Sequence, residues 1–364
     1  MPKNFAITGV AGYIAPRHLK AIRDTGNKLV AAVDPHDAVG ILDQYWFDVR
    51  FFTEIERFDR HLEKLRRGPE ENRVHVVSIC SPNYLHDAHC RLALRIGANA
   101  ICEKPLVINP WNLDALEELE HEYRSRIYTV LQLRVHPKLI ELRNRIQLEP
   151  TSKHHEVSLT YVTSRGSWYD VSWKGTNEKS GGVATNIDVH FFDLLIWLFG
   201  SAEEVQVFLS DQRKMSGMLQ LQRAQVKWFL SVDRNDLPAE GSRSNHTTFR
   251  SITIDGTEIE FTDGFTDLHT RVYEETLAGR GFGIQDARPS IELVHRIRTT
   301  PVQPFNGEAH PFLLKRRSEV RSRRSEVRSQ RSEREIEFCE RFGRLQESVC
   351  SCYGGFPYQQ IVSR

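Results

Sequence analysis

Glu103, Lys104 and Pro105 form the stretch in which reactive side chains are most clearly placed. They follow the apolar run 97–102, which predicts a short buried strand. Pro105 cannot donate a ladder hydrogen bond, so the strand is predicted to end before it. A carboxylate and an amine then lie at a strand's carboxyl end, the edge at which open α/β sheets bind ligands. We therefore predict that Lys104 is a ligand-facing cation rather than a solvated surface lysine.

A glycine-containing turn follows the first predicted strand, residues 5–8, and precedes a helical pattern at 17–24. Such a turn lets backbone N–H groups approach a pyrophosphate, whose charge the helix N-terminus favours. The pattern departs from the dinucleotide-binding fingerprint, because Ala11 and Ile14 hold its second and third glycine positions. A plain β–α turn is the alternative. The predicted cofactor contacts here are Gly9, Ala11, Gly12, Tyr13 and Ile14.

Asp34 ends the next predicted strand, residues 28–33, and lies 25 residues after Gly9. An acid at this position can hydrogen-bond the ribose hydroxyls of NAD and repels the 2′-phosphate of NADP. No arginine follows immediately, so the sequence favours NAD as the cofactor. A solvated strand-end aspartate is the alternative.

Strand and helix patterns then alternate, which predicts a doubly wound parallel sheet of the Rossmann type. Helices are predicted at 54–67, 83–95 and 110–124, and strands at 74–80 and 127–133. The turn Ser81-Pro82-Asn83 is a further predicted cofactor contact, with Asn83 also capping the following helix. His86 and His89 lie three apart on that helix; capping or a cofactor contact of His86 is favoured over a metal pair. Gln132 and Arg134 lie at the end of the last strand.

The second half predicts an α+β domain with a mostly antiparallel open sheet. Strands are expected at 155–163, 204–210, 218–223, 226–232, 248–254 and 257–261, and helices at 267–278 and 285–298. An apolar helix over 183–199 would place Asn186 and His190 four residues apart on one face. One open sheet face would suit self-association. The loop 164–175 collects the polar and aromatic side chains Arg165, Trp168, Tyr169, Trp173 and Lys174.

Composition excludes several classes of protein. The 364 residues carry a net charge of +1, no apolar run reaches the length of a membrane span, and no CxxC pair suggests a zinc site or disulfide framework. The N-terminus has no signal-peptide pattern, so a cytoplasmic location is expected. Residues 1–314 contain 37 Lys and Arg against 41 Asp and Glu, which gives no bias toward nucleic acid.

The last fifty residues are a basic, repetitive tail. Residues 316–322 recur identically at 323–329, and 315–364 contain 12 Lys and Arg against 7 Asp and Glu. One valine per seven-residue copy is too little for a coiled-coil seam. A disordered or weakly helical appendage is predicted, with nucleic-acid or membrane-surface binding by the arginines as the alternative.

Several motifs together resemble the Gfo/Idh/MocA oxidoreductase family. They are residues 9–18, 81–86, 103–105, 131–134, the Trp173-Lys174 segment and 184–190. The resemblance covers about residues 3–314, and segments 165–169, 227–233 and 264–269 resemble a subgroup acting on a UDP-sugar. It implies a Rossmann NAD-binding domain over 1–134, a substrate-binding and oligomerisation domain over 135–314, and the tail over 315–364.

The resemblance also implies an activity. The expected reaction is NAD-dependent oxidation of the C3 hydroxyl of UDP-N-acetylglucosaminuronate to a ketone, for bacterial surface polysaccharide (O-antigen). A downstream aminotransferase, a homotetramer and 2-oxoglutarate as hydride acceptor are the implied partners. By motif, Lys104 and His190 are the catalytic pair, and no metal is implied. A histidine base suits this chemistry near neutral pH, although Lys104 as the base stays open. Gln132, Arg134, Arg165, Tyr169, Lys174 and Asn186 join this pair as predicted substrate contacts. Glu103 and Lys104 are also predicted cofactor contacts.

The sequence departs from that subgroup at Asp188, where a small glycine is usual. A carboxylate so close to His190 is expected to raise its pKa or to crowd the cofactor, and a side chain that points away from both is the alternative. Two other functions compete with the expected one: a family dehydrogenase acting on a free sugar or inositol, and a non-catalytic NAD-binding regulator. The cations of loop 164–175 favour a diphosphate-bearing substrate, and retention of both Lys104 and His190 favours an enzyme.

Overall fold

The computed structural model describes residues 2–238, 247–259, 267–305 and 307–315. The chain divides into two compact units, Met1–His310 and Pro311–Arg364. In the second unit the described residues, 311–315, are helical. The predicted disordered or weakly helical tail lies, from residue 316 onward, outside the described residues.

The first half forms a six-stranded sheet in which every pairing is parallel, as the alternating patterns predict. Its strands are β1 (Asn4–Thr8), β2 (Lys28–Val33), β3 (Arg50–Phe52), β4 (Val76–Ile79), β5 (Asn99–Cys102) and β6 (Ile127–Thr129). The order is β3-β2-β1-β4-β5-β6, so the chain winds outward in both directions from β1 and β4. The switch point between those two strands is where such sheets bind ligands.

Five helices accompany these strands: α1 (Ala15–Asp24), α2 (Ile55–Arg67), α3 (His86–Arg95), α4 (Trp111–Tyr123) and α5 (Pro137–Leu148). α1 begins with a proline in its first turn, where the missing N–H costs no helical hydrogen bond. α2 buries Phe58 and Leu62 and exposes charged residues between them, the pattern of a helix that covers a sheet.

The second half forms a six-stranded sheet of order β12-β11-β7-β10-β9-β8. Its strands are β7 (His155–Thr163), β8 (Ala202–Ser210), β9 (Lys214–Leu221), β10 (Ala224–Ser231), β11 (Thr248–Ile254) and β12 (Thr257–Glu258). Among the described strands of this second sheet, only the β7–β10 pairing is parallel. The predicted mostly antiparallel open sheet is therefore confirmed. The end of the predicted strand 257–261 lies outside the described residues.

The described residues of this half include six helices: α6 (Trp168–Val171), α7 (Asn177–Ser180), α8 (Gly182–Asn186), α9 (Val189–Phe199), α10 (Leu268–Leu277) and α11 (Ile284–Thr299). The predicted continuous helix over 183–199 is wrong, because the chain breaks between α8 and α9. The stretch Asn177–Asn186 meets Val189–Phe199 at 46°. Asp188 takes the N-cap position of α9, a place that aspartate favours and helical periodicity cannot reveal. Asn186 and His190 therefore do not share one helical face.

Two further local predictions need correction. β6 ends at Thr129, and Gln132 and Arg134 lie on a short 3-10 helix, Gln132–Val135, rather than on the strand. Asn83 does not cap α3; it lies in a 3-10 turn, Asn83–Leu85, and its side-chain amide donates to the Ser180 carbonyl oxygen at 2.9 Å. That tertiary partner, 97 residues away, competes with the local cap.

α9 and α10 carry much of the packing between the halves of this unit. α9 is almost wholly apolar, and its Phe192 meets buried Trp228 of β10 edge to face at 5.6 Å. α10 packs against the first sheet, where Tyr273 stacks on Phe5 of β1 at 5.9 Å. Among the described helices none is by itself long and apolar enough to cross a membrane; one bent pair, Asn177–Asn186 with Val189–Phe199, passes on length and composition.

Candidate active site

The predicted site residues of the first half lie just beyond the carboxyl ends of the parallel strands. Gly9 follows β1, Asp34 follows β2, Ser81 follows β4, and Glu103 with Lys104 follows β5. Because these strands are parallel, their carboxyl ends share one edge of the sheet. The fold therefore gathers residues that are spread over about a hundred positions of sequence.

Gly9 and Gly12 are held in a tight turn against the neighbouring strand. Gly9 has φ +75°, and a Cβ there would lie 2.6 Å from the backbone of Cys80 and Ser81. A Cβ on Gly12 would lie 3.0 Å from the Gly9 carbonyl oxygen. α1 starts at Ala15, directly after this turn, so its free N–H groups face the same edge. Tyr13, in the same turn, is exposed.

Asp34 ties the turn to the second strand. One carboxylate oxygen accepts from the Ala11 N–H at 3.0 Å and the other from the His36 N–H at 2.9 Å. The side chain is buried, yet each carboxylate oxygen has a second lone pair. Asp34 can therefore position the glycine turn and still accept from a ribose hydroxyl.

His86 and Ser81 have partners inside the protein. The His86 ring is buried between two backbone carbonyl oxygens, Pro105 at 2.7 Å from Nδ1 and Ser81 at 2.8 Å from Nε2. Burial lowers its pKa, and those hydrogen bonds oppose the change. No ring nitrogen remains for a cofactor, so the predicted cofactor contact of His86 is corrected to a bridge between two site loops. The Ser81 hydroxyl contacts Nδ1 of His89 at 2.8 Å.

Glu103 lies in a buried network that sequence reasoning missed. Its Oε1 accepts from Nε2 of His18 and of His269, each at 2.9 Å, and its Oε2 accepts from the Lys104 N–H at 3.2 Å. The predicted cofactor contact of Glu103 stays a prediction, since its Oε2 accepts only one of these hydrogen bonds and keeps a second lone pair. The network continues from His18 Nδ1 to the Tyr273 hydroxyl at 2.8 Å and on to Ser78 at 2.6 Å.

The protonation of this network follows from its geometry. Burial lowers the pKa of His18, so its ring is neutral and can donate from Nε2 to Glu103 while Nδ1 accepts from Tyr273. Burial opposes ionisation of Glu103, but the two histidine hydrogen bonds outweigh it and hold its pKa well below the usual value. Ligand atoms of His18, Glu103 and His269 lie within 4.8 Å of one another and could hold a metal ion, but hydrogen bonds already occupy them. In the sequence, the only indication of this network is that His18 and His269 lie in segments that resemble the family.

Lys104 reaches across to the second half of the chain. Its Nζ donates to the Asn186 carbonyl oxygen at 3.1 Å. Burial lowers the pKa of Lys104, while Glu103 and Asp188 raise it. The pKa of His190 is held well below its usual value by burial and then by the charges of Lys104 and Arg250. The predicted pair, Lys104 and His190, therefore interact electrostatically within one site.

Asn186, Tyr169 and Asn83 form a polar wall beside Lys104. The Tyr169 hydroxyl hydrogen-bonds the Asn186 side chain, and burial raises the pKa of Tyr169. The Asn83 amide donates to the Asn186 side-chain oxygen at 3.4 Å. The predicted substrate contacts Tyr169 and Asn186 are thus brought together with a predicted cofactor contact.

Arg165 and Lys174 add two cations to the same place. Burial, then the charges of Arg165 and Lys104, lower the pKa of Lys174. The Lys174 ammonium lies 5.6 Å from the ring centre of Trp168 and 5.5 Å from that of Trp173. Within the described ranges, neither Arg165 nor Lys174 has a carboxylate within salt-bridge distance. Two cations without a salt-bridged carboxylate, Arg165 and Lys174, therefore lie within reach of the charge of Lys104.

Arg134 does not join them. Its guanidinium makes a two-pronged contact with Asp193, at 2.7 and 2.9 Å, and also bonds the side chain and carbonyl oxygen of Asp286. These four hydrogen bonds use most of its donors, so the predicted substrate contact of Arg134 is corrected to a structural ion pair. Gln132, on the same 3-10 helix, keeps a buried side-chain oxygen without a partner in the described part of the chain.

A separate cleft of about 760 Å³ lies elsewhere on the first unit. Its walls include Asn109, Asn177, Ser210 and His295. None of the predicted site residues lines it.

The fold and site define a class of protein: a dinucleotide-binding Rossmann half joined to an α/β half that closes the site. Residues 3–131 match the family model described as "Oxidoreductase family, NAD-binding Rossmann fold", and residues 153–303 match that of the family's C-terminal alpha/beta domain. The chain belongs to the Gfo/Idh/MocA oxidoreductase family.

Solved structures of one relative match this chain over nearly the whole length of the relative. The WlbA (WbpB) dehydrogenase from Thermus thermophilus, in complex with NAD and alpha-ketoglutarate, is 51% identical, with a TM-score of 0.82 over 85% of this chain and 99% of that one. Its complex with NAD and UDP-GlcNAcA gives 50% identity and a TM-score of 0.81 over the same shares.

Curated relatives match over shorter stretches. An oxidoreductase of Synechocystis is 26% identical over 41% of this chain, and the inositol 2-dehydrogenase of Rhizobium meliloti is 25% identical over 55%. The chain spans about half the length of these two relatives, 40% and 56% respectively.

Proposed function

We propose that this chain is an NAD-dependent dehydrogenase that oxidises the C3 hydroxyl of UDP-N-acetylglucosaminuronate to a ketone. One observation carries the proposal: Arg165 and Lys174, neither of which has a carboxylate within salt-bridge distance among the described residues, lie close enough to Lys104 for their charges to interact, and the charge of Lys104 acts on His190. A cluster of unpaired cations needs an anionic ligand. A diphosphate and a uronate carboxylate supply that charge, and the half-identical relative was solved with UDP-GlcNAcA.

The first half fits the cofactor. The close backbone approach at Gly9, the start of α1 at Ala15 and the acid at Asp34 are the features that a pyrophosphate and a ribose require. Ser81, Pro82 and Asn83, at the end of β4, complete the predicted cofactor contacts. NAD, when bound, accepts the hydride from the carbinol carbon of the sugar.

His190 is proposed as the base that takes the hydroxyl proton. Its low pKa keeps the imidazole neutral at neutral pH, and its Nδ1 has no hydrogen-bond partner in the described part of the chain. Lys104, as the ammonium, stabilises the negative charge that develops on the sugar oxygen. The reverse assignment, with Lys104 as base, predicts a different pH profile and is tested below.

The second half is proposed to hold the substrate. Arg165 and Lys174 bind the diphosphate and carboxylate, for which the arginine fork is suited. Tyr169 and Asn186, already joined by a hydrogen bond, orient the sugar ring. Gln132, with its unpartnered oxygen, is a further contact for a hydroxyl or amide. On this proposal residues 1–134 hold NAD, and 135–314 hold the substrate and the oligomer contacts.

Several partners follow from the proposed function. Reoxidation of the bound cofactor by 2-oxoglutarate is supported by the relative's complex with alpha-ketoglutarate. The 3-keto product suits an aminotransferase in surface-polysaccharide synthesis, and a homotetramer is proposed for the assembly. A cytoplasmic location is supported by Cys80, Cys90 and Cys102, which are buried free thiols.

The test is formation of reduced cofactor when the purified chain meets NAD and UDP-N-acetylglucosaminuronate, with and without 2-oxoglutarate. We expect reduction with the UDP-uronate and turnover without net reduced cofactor once 2-oxoglutarate is added. UDP-N-acetylglucosamine, which lacks the carboxylate, is the matched control and should react at least about tenfold more slowly, because one charge-assisted contact is missing.

A second candidate, oxidation of a free polyol, is supported by the similarity to an inositol 2-dehydrogenase. The same assay with myo-inositol distinguishes the two. Activity on inositol with none on the UDP-uronate would replace the proposed substrate, and NAD binding without turnover of either would favour a regulator.

A further inference from the structure

Asp188 is a buried acid at the break between α8 and α9, two residues before His190. It is 0% exposed, and neither carboxylate oxygen has a hydrogen-bond partner in the described ranges of the chain. It holds the N-cap position of α9 but makes no capping bond. No hydrogen bond to the backbone therefore explains why this carboxyl group is buried.

The other buried acids among the described residues are all paired. Asp34 accepts from two backbone N–H groups, and Glu103 accepts from two histidines. Asp193 pairs with Arg134, and Asp236 with Lys214 at 2.8 Å. Burying a carboxyl group without such a partner costs free energy, so its retention calls for a role.

The charged group that acts on Asp188 is Lys104. The Lys104 Nζ donates to the carbonyl oxygen of Asn186, two residues before Asp188, which brings the ammonium to this turn. Tyr161 of β7 also feels the charge of Asp188. His190 on α9 is the remaining titratable neighbour, and its ring lies 6.0 Å from that of Tyr161.

Other charges face this group from further elements. Arg165 acts on Lys104 from the loop after β7, and Glu103 acts on it from the end of β5. Arg250 of β11 acts on His190 and Tyr161. Cations outnumber acids here, so a carboxylate at position 188 balances charge inside the site.

We propose that Asp188 is a positioning residue whose carboxylate acts through its charge on Lys104 and keeps that side chain in the ammonium form within the active site. This inference rests on the proposed function for its kinetic consequence, but the charge coupling itself needs no substrate.

The physical reason is that burial penalises each charge alone more than the two together. An isolated buried carboxyl group prefers to be protonated, and an isolated buried amine prefers to be neutral. With both present, each charge stabilises the other, so Lys104 stays an ammonium to higher pH than it would alone. Removing the carboxylate would lower the pKa of Lys104 further, so that less of it is present as the ammonium that stabilises the developing oxyanion.

The direct test is the pH dependence of amine labelling in the NAD-loaded full chain. Acetic anhydride labelling of Lys104 is followed by peptide mass spectrometry, with exposed Lys64 in the same molecule as reference. In Asp188→Asn we expect the Lys104 labelling midpoint to fall by about one pH unit, the effect of losing one nearby opposite charge. An unchanged midpoint would overturn the proposal.

A second variant and a control guard against misfolding. Asp188→Gly removes the carboxyl group without adding bulk and should lower the midpoint equally. Asp87→Asn removes an acid from the half-buried ion pair with Arg91 on α3 and should leave the Lys104 midpoint unchanged. A fall in all three variants would show general loosening of the fold and would contradict the proposal.

The kinetic arm uses the UDP-uronate. With Lys104 as the ammonium, the alkaline limb of kcat/KM should move down by about one pH unit in Asp188→Asn. A shift in labelling without turnover by the parent would keep the coupling and remove the proposed function. Turnover by the parent, with an alkaline limb that does not move in Asp188→Asn, would keep the proposed function and remove the charge coupling.

Discussion

His190 is the residue on which the pH dependence of the reaction depends. Burial and the charges of Lys104 and Arg250 hold its pKa well below 6.5, so the neutral base is present throughout the neutral range. We predict that the acid limb of kcat/KM lies below pH 6.5. His190→Asn should lose that limb and about 10²-fold or more in kcat, the usual contribution of a general base.

The pH profile also separates the two candidate bases. If Lys104 were the base, activity would rise with pH through the lysine pKa, and the His190→Asn variant would keep that rise. Measuring kcat/KM from pH 5 to 10 for the parent and for His190→Asn decides whether His190 or Lys104 is the base.

We assign different roles to Arg165 and Arg134, although the sequence alone suggests the same role for both. Arg165 has no acidic partner within the described residues, whereas Arg134 is paired with Asp193 and Asp286. We predict that Arg165→Ala raises KM for the UDP-uronate at least about tenfold with little change in stability.

Arg134→Ala is the matched comparison. Removing it leaves buried Asp193 unpaired, so unfolding free energy should fall by about 3 kcal/mol or more. KM should stay near the parent value wherever the variant is folded. Urea unfolding and steady-state kinetics on both variants check the pair; a normal KM for Arg165→Ala would contradict the assignment.

At the scale of elements, the turn between β1 and α1 is the part most sensitive to a small change. A methyl group at Gly9 would lie 2.6 Å from the backbone after β4, and its φ of +75° disfavours any side chain. We predict that Gly9→Ala weakens NAD binding at least about tenfold, since the turn must move where the backbone approaches the pyrophosphate.

Gly26→Ala provides the control for backbone strain. Gly26 also has positive φ, +74°, but has nothing within 4 Å of its Cβ position. The Gly26→Ala substitution should lower the free energy of unfolding by about 1 kcal/mol and leave the affinity for NAD unchanged. Equal loss of NAD affinity in both variants, measured by titration calorimetry, would show that strain rather than contact is responsible.

The elements also show how far sequence reasoning extends. Alternating buried strands and amphipathic helices predict the parallel sheet, and the strand ends then place Asp34 and Lys104 at one edge, because parallel geometry allows nothing else. The break at Asp188 was not predictable from periodicity, since the apolar pattern continues on both sides. The partners of Arg134 and Glu103 lie 59 to 166 residues away, and no local pattern reveals such pairings.

At the scale of the whole molecule, buried histidines set the response to acid. Burial lowers the pKa of His89 and of His310 to about 4, and lowers that of His18 and His190 as well. Each folded-state pKa lies below the unfolded value of 6.5, so the unfolded chain binds more protons as the pH falls. Stability is therefore present above pH 6.5 and is lost between about 6.5 and 4.

We predict that the free energy of unfolding falls steadily from pH 7 to pH 5, by on the order of 1 kcal/mol per buried histidine for each pH unit crossed. Asp188 has the opposite sign, because its pKa is raised by burial and its protonation eases as the pH falls. The contribution of this one acid to the pH dependence of stability does not offset the contributions of the several buried histidines. Urea unfolding at the two pH values tests this, and equal stability would contradict it.

The most direct measurement uses UDP-N-acetylglucosaminuronate that carries deuterium at C3. We predict that the deuterium appears in the reduced nicotinamide, that kcat/KM falls with a primary isotope effect when the chemical step limits turnover, and that substitution of Lys104 or His190 slows the transfer by about 10²-fold or more. Recovery of the label in the sugar, or reduced cofactor formed without it, would contradict oxidation at C3.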